Sequence, residues 1–95
     1  AVKWYMKAAK QGNHNAQYNL GIAFYFGHGV SKDILSAYTW WGIAASSGDK
    51  DAIYHRNQAA MLLTNIQKKK ADNLILNCTK KNYESCSLFV NEHQS

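Results

Sequence analysis

The side chains best equipped for chemistry are two cysteines, four histidines and a cluster of lysines. Cys78 and Cys86 are separated by seven residues, too wide for a CxxC redox or zinc pair. On the residues alone three readings stay open: a disulfide, two buried thiols, or half of a metal site. A helix end followed by a turn brings Cα atoms within the ~4.4–6.8 Å that a bridge requires. Closing such a loop contributes roughly 2–3 kcal/mol in the chain-entropy account. His14, His28, His55 and His93 share no metal-ligand spacing, and the sequence contains no HExxH, nucleophile elbow or phosphate loop. Gly27-His28-Gly29 suggests a phosphate cradle, but the required lysine and hydroxyl residue are missing and it follows a helical pattern, so it reads as a turn. The six acidic residues are scattered, which leaves no carboxylate pair for acid–base work. No enzyme, metal or cofactor is expected.

Lys68, Lys69, Lys70, Lys80 and Lys81 place five positive charges near the end of the chain, against Asp72 alone before Glu84. They read either as a solvated helix face that keeps the protein soluble or as a docking patch for an acidic protein, a lipid head group or a nucleic acid. No nucleic-acid motif accompanies them, and the aromatics fall mainly on core stripes. The expectation is a solvated face and no nucleic-acid partner.

The elements that must position these residues belong to one small domain or part of a larger one. The chain has 95 residues, 46% of them hydrophobic and 18% charged, with a formal net charge of +5, an ordinary globular balance. No apolar run reaches the ~18–20 residues of a membrane span. The absence of proline and the six glycines suit short-looped helices better than a many-turned β protein. The sequence opens inside an amphipathic pattern, so any leader peptide is expected to have been removed or to lie upstream.

An internal repeat organises the chain. The opening "AVKWYMKAAKQGNHNAQY" returns thirty-six residues later as "AYTWWGIAASSGDKDAIY", with seven of 18 aligned pairs identical. Trp4 pairs with Trp40, Gly12 with Gly48, Ala16 with Ala52 and Tyr18 with Tyr54. Such a period holds two helices and two short turns, the regime of helical solenoids. Ala1, Trp4, Tyr5, Ala8 and Ala9 form one apolar helical stripe, and Ala37, Trp40, Trp41, Ala44 and Ala45 repeat it. Gly12 and Gly48 stand where left-handed caps end these helices, and Asn13 and Asp49 follow as N-caps of the next. That next helix buries Ala16, Leu20, Ala23 and Phe24. Gly21 inside it costs roughly 1 kcal/mol against alanine and predicts close approach of a neighbouring helix. Residues 27–33 form the turn within a repeat. Thr64 and Gln67 make a capping box, and Ala71, Leu74, Ile75 and Cys78 give the last helix one buried side. The spacing predicts an all-α chain with helices near 1–11, 14–26, 33–46, 50–62 and 65–79.

These residues resemble the SEL-1-like repeat, a relative of the tetratricopeptide repeat. The family pattern A-x-x-W-Y-x-x-A-A-x-x-G is met by residues 1–12. Its first helix and loop are met by Ala16, Leu20, Gly21, Phe24, Gly27, Gly29, Val30 and Asp33. The resemblance implies a right-handed α-α superhelix of about five helices, and protein–protein binding in place of chemistry. Residues 1–51 are expected to be repeats, with a partial first repeat at 1–12 and a full one at 13–48. Residues 52–95 depart from the pattern: Arg56 and Asn57 stand where Leu20 and Gly21 stood. They look like a degenerate repeat and the capping segment that closes such arrays. The chain starts on the second helix of a repeat and leaves the Trp4, Tyr5 and Ala8 stripe short of cover. A piece of a longer array is the expectation, and self-association through this end is the other reading.

The spacing of Cys78 and Cys86 recurs in the cysteine-rich branch of this family, where bridges tie one helix to the next. On that resemblance a Cys78–Cys86 disulfide is expected, with a periplasmic or secreted address; reduced cysteines would imply the cytoplasm. The family's commonest source is bacterial. Some cysteine-rich relatives are linked to β-lactam binding or hydrolysis, so that activity is the alternative function, but this chain has no S-x-x-K. The partner surface implied by the family is the concave side, lined by first helices. There Tyr18, Asn19 and Ile22 recur in part as Tyr54 and His55, a row of aromatic and amide-like groups suited to a peptide or protein partner.

Overall fold

A computed structural model describes residues 2–80. It contains α1 (Val2–Lys10), α2 (His14–Phe26), α3 (Ile34–Ala45), α4 (Lys50–Ala60) and α5 (Asn65–Lys80), and no strand among the described residues. Each bound lies within two residues of its expected place, because the stop and start signals are local. Gly12 and Gly48 take φ of 91° and 90°, where a side chain would be strained. The Asn13 Oδ1 accepts from the Ala16 amide at 3.0 Å and the Asp49 Oδ1 from the Ala52 amide at 3.1 Å, each satisfying an otherwise orphaned donor. Thr64 and Gln67 cap α5 reciprocally: the Thr64 amide donates to Gln67 Oε1 at 2.9 Å, and the Gln67 amide to Thr64 Oγ1 at 3.1 Å.

The helices pack in succession, α1 on α2, α2 on α3, and α3 on both α4 and α5, an all-α solenoid. Two core clusters result. Ala9, Ala16, Leu20, Trp40, Ile43 and Cys78 form the first; Ala37, Tyr38, Trp41, Ala59 and Ala71 form the second. Helix α3 belongs to both, because the adjacent Trp40 and Trp41 enter different clusters. That position explains why eight consecutive residues of α3, 37–44, are buried: a helix covered on all sides is apolar on all sides. The repeat partners Trp4 and Trp40 differ sharply, at 63% and 1% exposed. Trp40 lies between α2 and the helices beyond, whereas α1 has its main packing on α2 alone.

The close approach expected at Gly21 is present. A Cβ built there would run into the indole of Trp41, so the ring from α3 packs directly on the backbone of α2. The Tyr38 hydroxyl donates to Asp72 Oδ1 at 2.6 Å and ties α3 to α5. Gln17 is fully buried, donating to the Ala9 carbonyl at 3.1 Å.

Candidate functional site

Gly21 also sets the geometry of the expected partner surface. With Trp41 seated against it, the indole Nε1 donates to the Tyr18 carbonyl at 3.1 Å. The Trp41 ring then lies 5.2 Å from His55 and 5.4 Å from Tyr25. His55 is the junction. Its ring meets Tyr18 edge-on at 5.3 Å and Tyr54 edge-on at 5.4 Å, so aromatic contact passes from α2 to α4. His55 Nδ1 lies 2.8 Å from the Asp51 carbonyl. A carbonyl only accepts, so Nδ1 carries the hydrogen, and Nε2 is the acceptor of the neutral ring.

The surroundings of this cluster are locally acidic in a chain of net positive charge. Burial raises the pKa of the Tyr18 phenol, and the carboxylates of Asp51 and Asp49 raise it further. Tyr18 therefore remains a neutral hydrogen-bond donor at any physiological pH. Asp49 caps α4 with one oxygen, and its other oxygen lies 3.5 Å from His14 Nδ1 at the start of α2.

The five expected partner residues divide into two places. Tyr18, Tyr54 and His55 form the ring cluster, with Tyr54 61% exposed and the other two half-buried. Asn19 and Ile22 instead line a groove toward α1, with Val2, Tyr5, Ala23 and His28, of about 190 Å³. That is below the ~300–1,000 Å³ of a small-molecule pocket and suits one side chain of a partner. Ile22 also packs on the second core cluster, so it supports as well as lines. The residues that sequence reasoning missed are Val2, Tyr5, His28 and Trp41. Only Gly21 signalled any of them, since it announced a large neighbour without naming Trp41.

Cys78 is fully buried in the first core cluster; its expected partner Cys86, like His93 and Lys81, lies outside the described residues. No three His, Cys, Asp or Glu side chains converge on a metal position among the described residues. No helix of the described residues is long and apolar enough to cross a membrane.

Comparison with known proteins bears on this arrangement. The Sel1 repeat model matches residues 1–13 and 14–49. No curated protein matches the sequence. The crystal structure of a protective antigen present in uropathogenic Escherichia coli strains, described as displaying an SLR fold, matches 96% of the chain with a TM-score of 0.80 and 28% sequence identity. The chain spans 20% of that antigen's structure.

Proposed function

The chain belongs to the Sel1 repeat family, and we propose that it is a binding segment of a repeat array whose concave face takes a peptide or protein partner. Repeats of this family generally mediate protein–protein interaction. The observation that carries the reading is the ring cluster Tyr18–His55–Tyr54 bridging α2 and α4. Tyrosine offers a large rigid surface and a hydrogen bond at small entropic cost, and Tyr54 already stands out into solvent. The Asn19 carboxamide in the neighbouring groove supplies a donor and an acceptor suited to a peptide backbone. In this reading residues 52–95 form the closing segment of the array. A bridge between Cys78 and Cys86 places the protein in the periplasm or outside the cell, and intact mass without reductant, 2 Da below the dithiol value (one hydrogen per sulfur), would register it.

Selection of random displayed peptides on the chain tests the function. Selected peptides should lose at least about fivefold in affinity on Tyr54→Ala, a hot-spot-sized effect, while the melting temperature stays unchanged. Peptides that bind the variant and the parent chain equally would rule the ring cluster out as the binding surface.

A further inference from the structure

A second surface, at the C-terminal end of α4, has its own chemistry. At the corner where α4 meets α5, Met61, Leu62 and Ile66 are 79%, 60% and 83% exposed, while Leu63 between them packs on the core. These are protruding side chains, not the walls of a cleft. Helix α5 extends the surface. Ile66, Lys69, Asn73, Leu76 and Lys80 recur at i, i+3, i+7, i+10 and i+14, all exposed, on the face opposite the buried Ala71 and Cys78. Lys70 is exposed beside them. The only acid between residues 61 and 80 is Asp72, and its carboxylate accepts the Tyr38 hydroxyl.

We propose that the α4–α5 corner and the outer face of α5 dock on the head-group layer of an anionic membrane, with Met61, Leu62 and Ile66 entering the acyl boundary and Lys69, Lys70 and Lys80 pairing with acidic head groups. The helix, about 24 Å long, lies along the surface and does not span it. The composition of the stripe selects a lipid interface over a partner helix. Lys69, Asn73 and Lys80 occupy the middle of the face, where a dry helix–helix seam would strand them. At a bilayer surface their heads stay wet while the aliphatic stems sink. Residues 61–80 contain no arginine and no aromatic side chain, the groups that stack on nucleic-acid bases.

Co-sedimentation of the 95-residue chain with vesicles tests this. Vesicles of equimolar phosphatidylcholine and phosphatidylglycerol should retain the chain at low salt, and vesicles of phosphatidylcholine alone should not. Binding should fall about fivefold for each of Lys69→Gln and Lys70→Gln, and roughly tenfold or more for Met61→Ser combined with Ile66→Ser. All four side chains are exposed, so unchanged circular dichroism melting verifies that the variants fold. Tyr54→Ala should leave vesicle binding intact, which separates this surface from the peptide-binding one. Equal retention by both vesicle types, or by neither, overturns the proposal. Binding to polyglutamate with no vesicle binding would instead assign the corner to an acidic protein.

Discussion

Gly21 shows how one residue couples stability to the binding surface. By helix propensity alone, alanine there would gain about 1 kcal/mol. Packing reverses the sign, because the added Cβ meets the body of the Trp41 indole, a ring that the bond to the Tyr18 carbonyl holds in place. Gly21→Ala should destabilise the chain by about 1–3 kcal/mol in urea unfolding; a variant as stable as the parent would contradict this contact. Gly42 provides the comparison. A Cβ there meets the end of the Ile75 side chain, which can swing aside, so Gly42→Ala should cost less than about 1 kcal/mol. Tyr38 makes a pH-dependent contribution. Burial, then the bond to Asp72 and its charge, pushes the phenol from 10.0 up to about 12. A raised pKa means that the folded state keeps a proton the unfolded chain has lost, so stability falls as pH rises between these values. Tyr38→Phe should cost about 1–2 kcal/mol at neutral pH. The gap between variant and parent should hold to pH 10 and close toward pH 12; a gap independent of alkaline pH would refute the assignment.

At the scale of elements, the capping box decides where α5 begins. Thr64 and Gln67 each satisfy the other's backbone amide, and both side chains are exposed, so little else is lost when one is removed. Thr64→Ala should therefore lower stability by about 0.5–2 kcal/mol, read by thermal melting, with loss of helicity confined to the start of α5. A neutral substitution would mean that packing on α3 alone holds that turn. Caps of this kind explain why the helices were legible in the sequence. Asn13, Asp49, Gly12 and Gly48 act on amides within a few residues of themselves, so spacing suffices to read them. The site was legible only in part. The equivalence of Tyr18 and Tyr54 follows from the repeat, whereas the edge-on contacts of both with His55 are visible only in the structure. That Asn19 turns to a different groove depends on which flank of α2 receives α1, and no local pattern records this. Burial depends on neighbours: Trp4, expected to be short of cover, is 63% exposed, whereas Trp40 at the same place in the next repeat is 1% exposed. The exposure of Met61, Leu62 and Ile66 likewise depends on what α5 packs against.

For the whole molecule, successive packing implies that stability is graded along the chain. In a solenoid each element is held by its neighbours, and the neighbours here are unequal. Helix α3 contacts α2, α4 and α5, belongs to both core clusters and buries Trp40 and Trp41 almost completely. Opening it would break both clusters at once, which amounts to global unfolding. Helix α1 rests mainly on α2, and Ala9 is its one buried residue; the bond from Gln17 to the Ala9 carbonyl secures its far end. It can detach while α2 to α5 stay packed, at a free energy well below the global value. Native-state hydrogen exchange should therefore find the amides of α3 slowest, exchanging only through global unfolding, with a sensitivity to urea equal to that of the whole chain. The hydrogen-bonded amides of α1 should exchange at least about tenfold faster, with little dependence on urea, as expected of a local opening. Equal protection and equal urea dependence in α1 and α3 would mean that the chain opens as one unit, and the graded picture would be wrong.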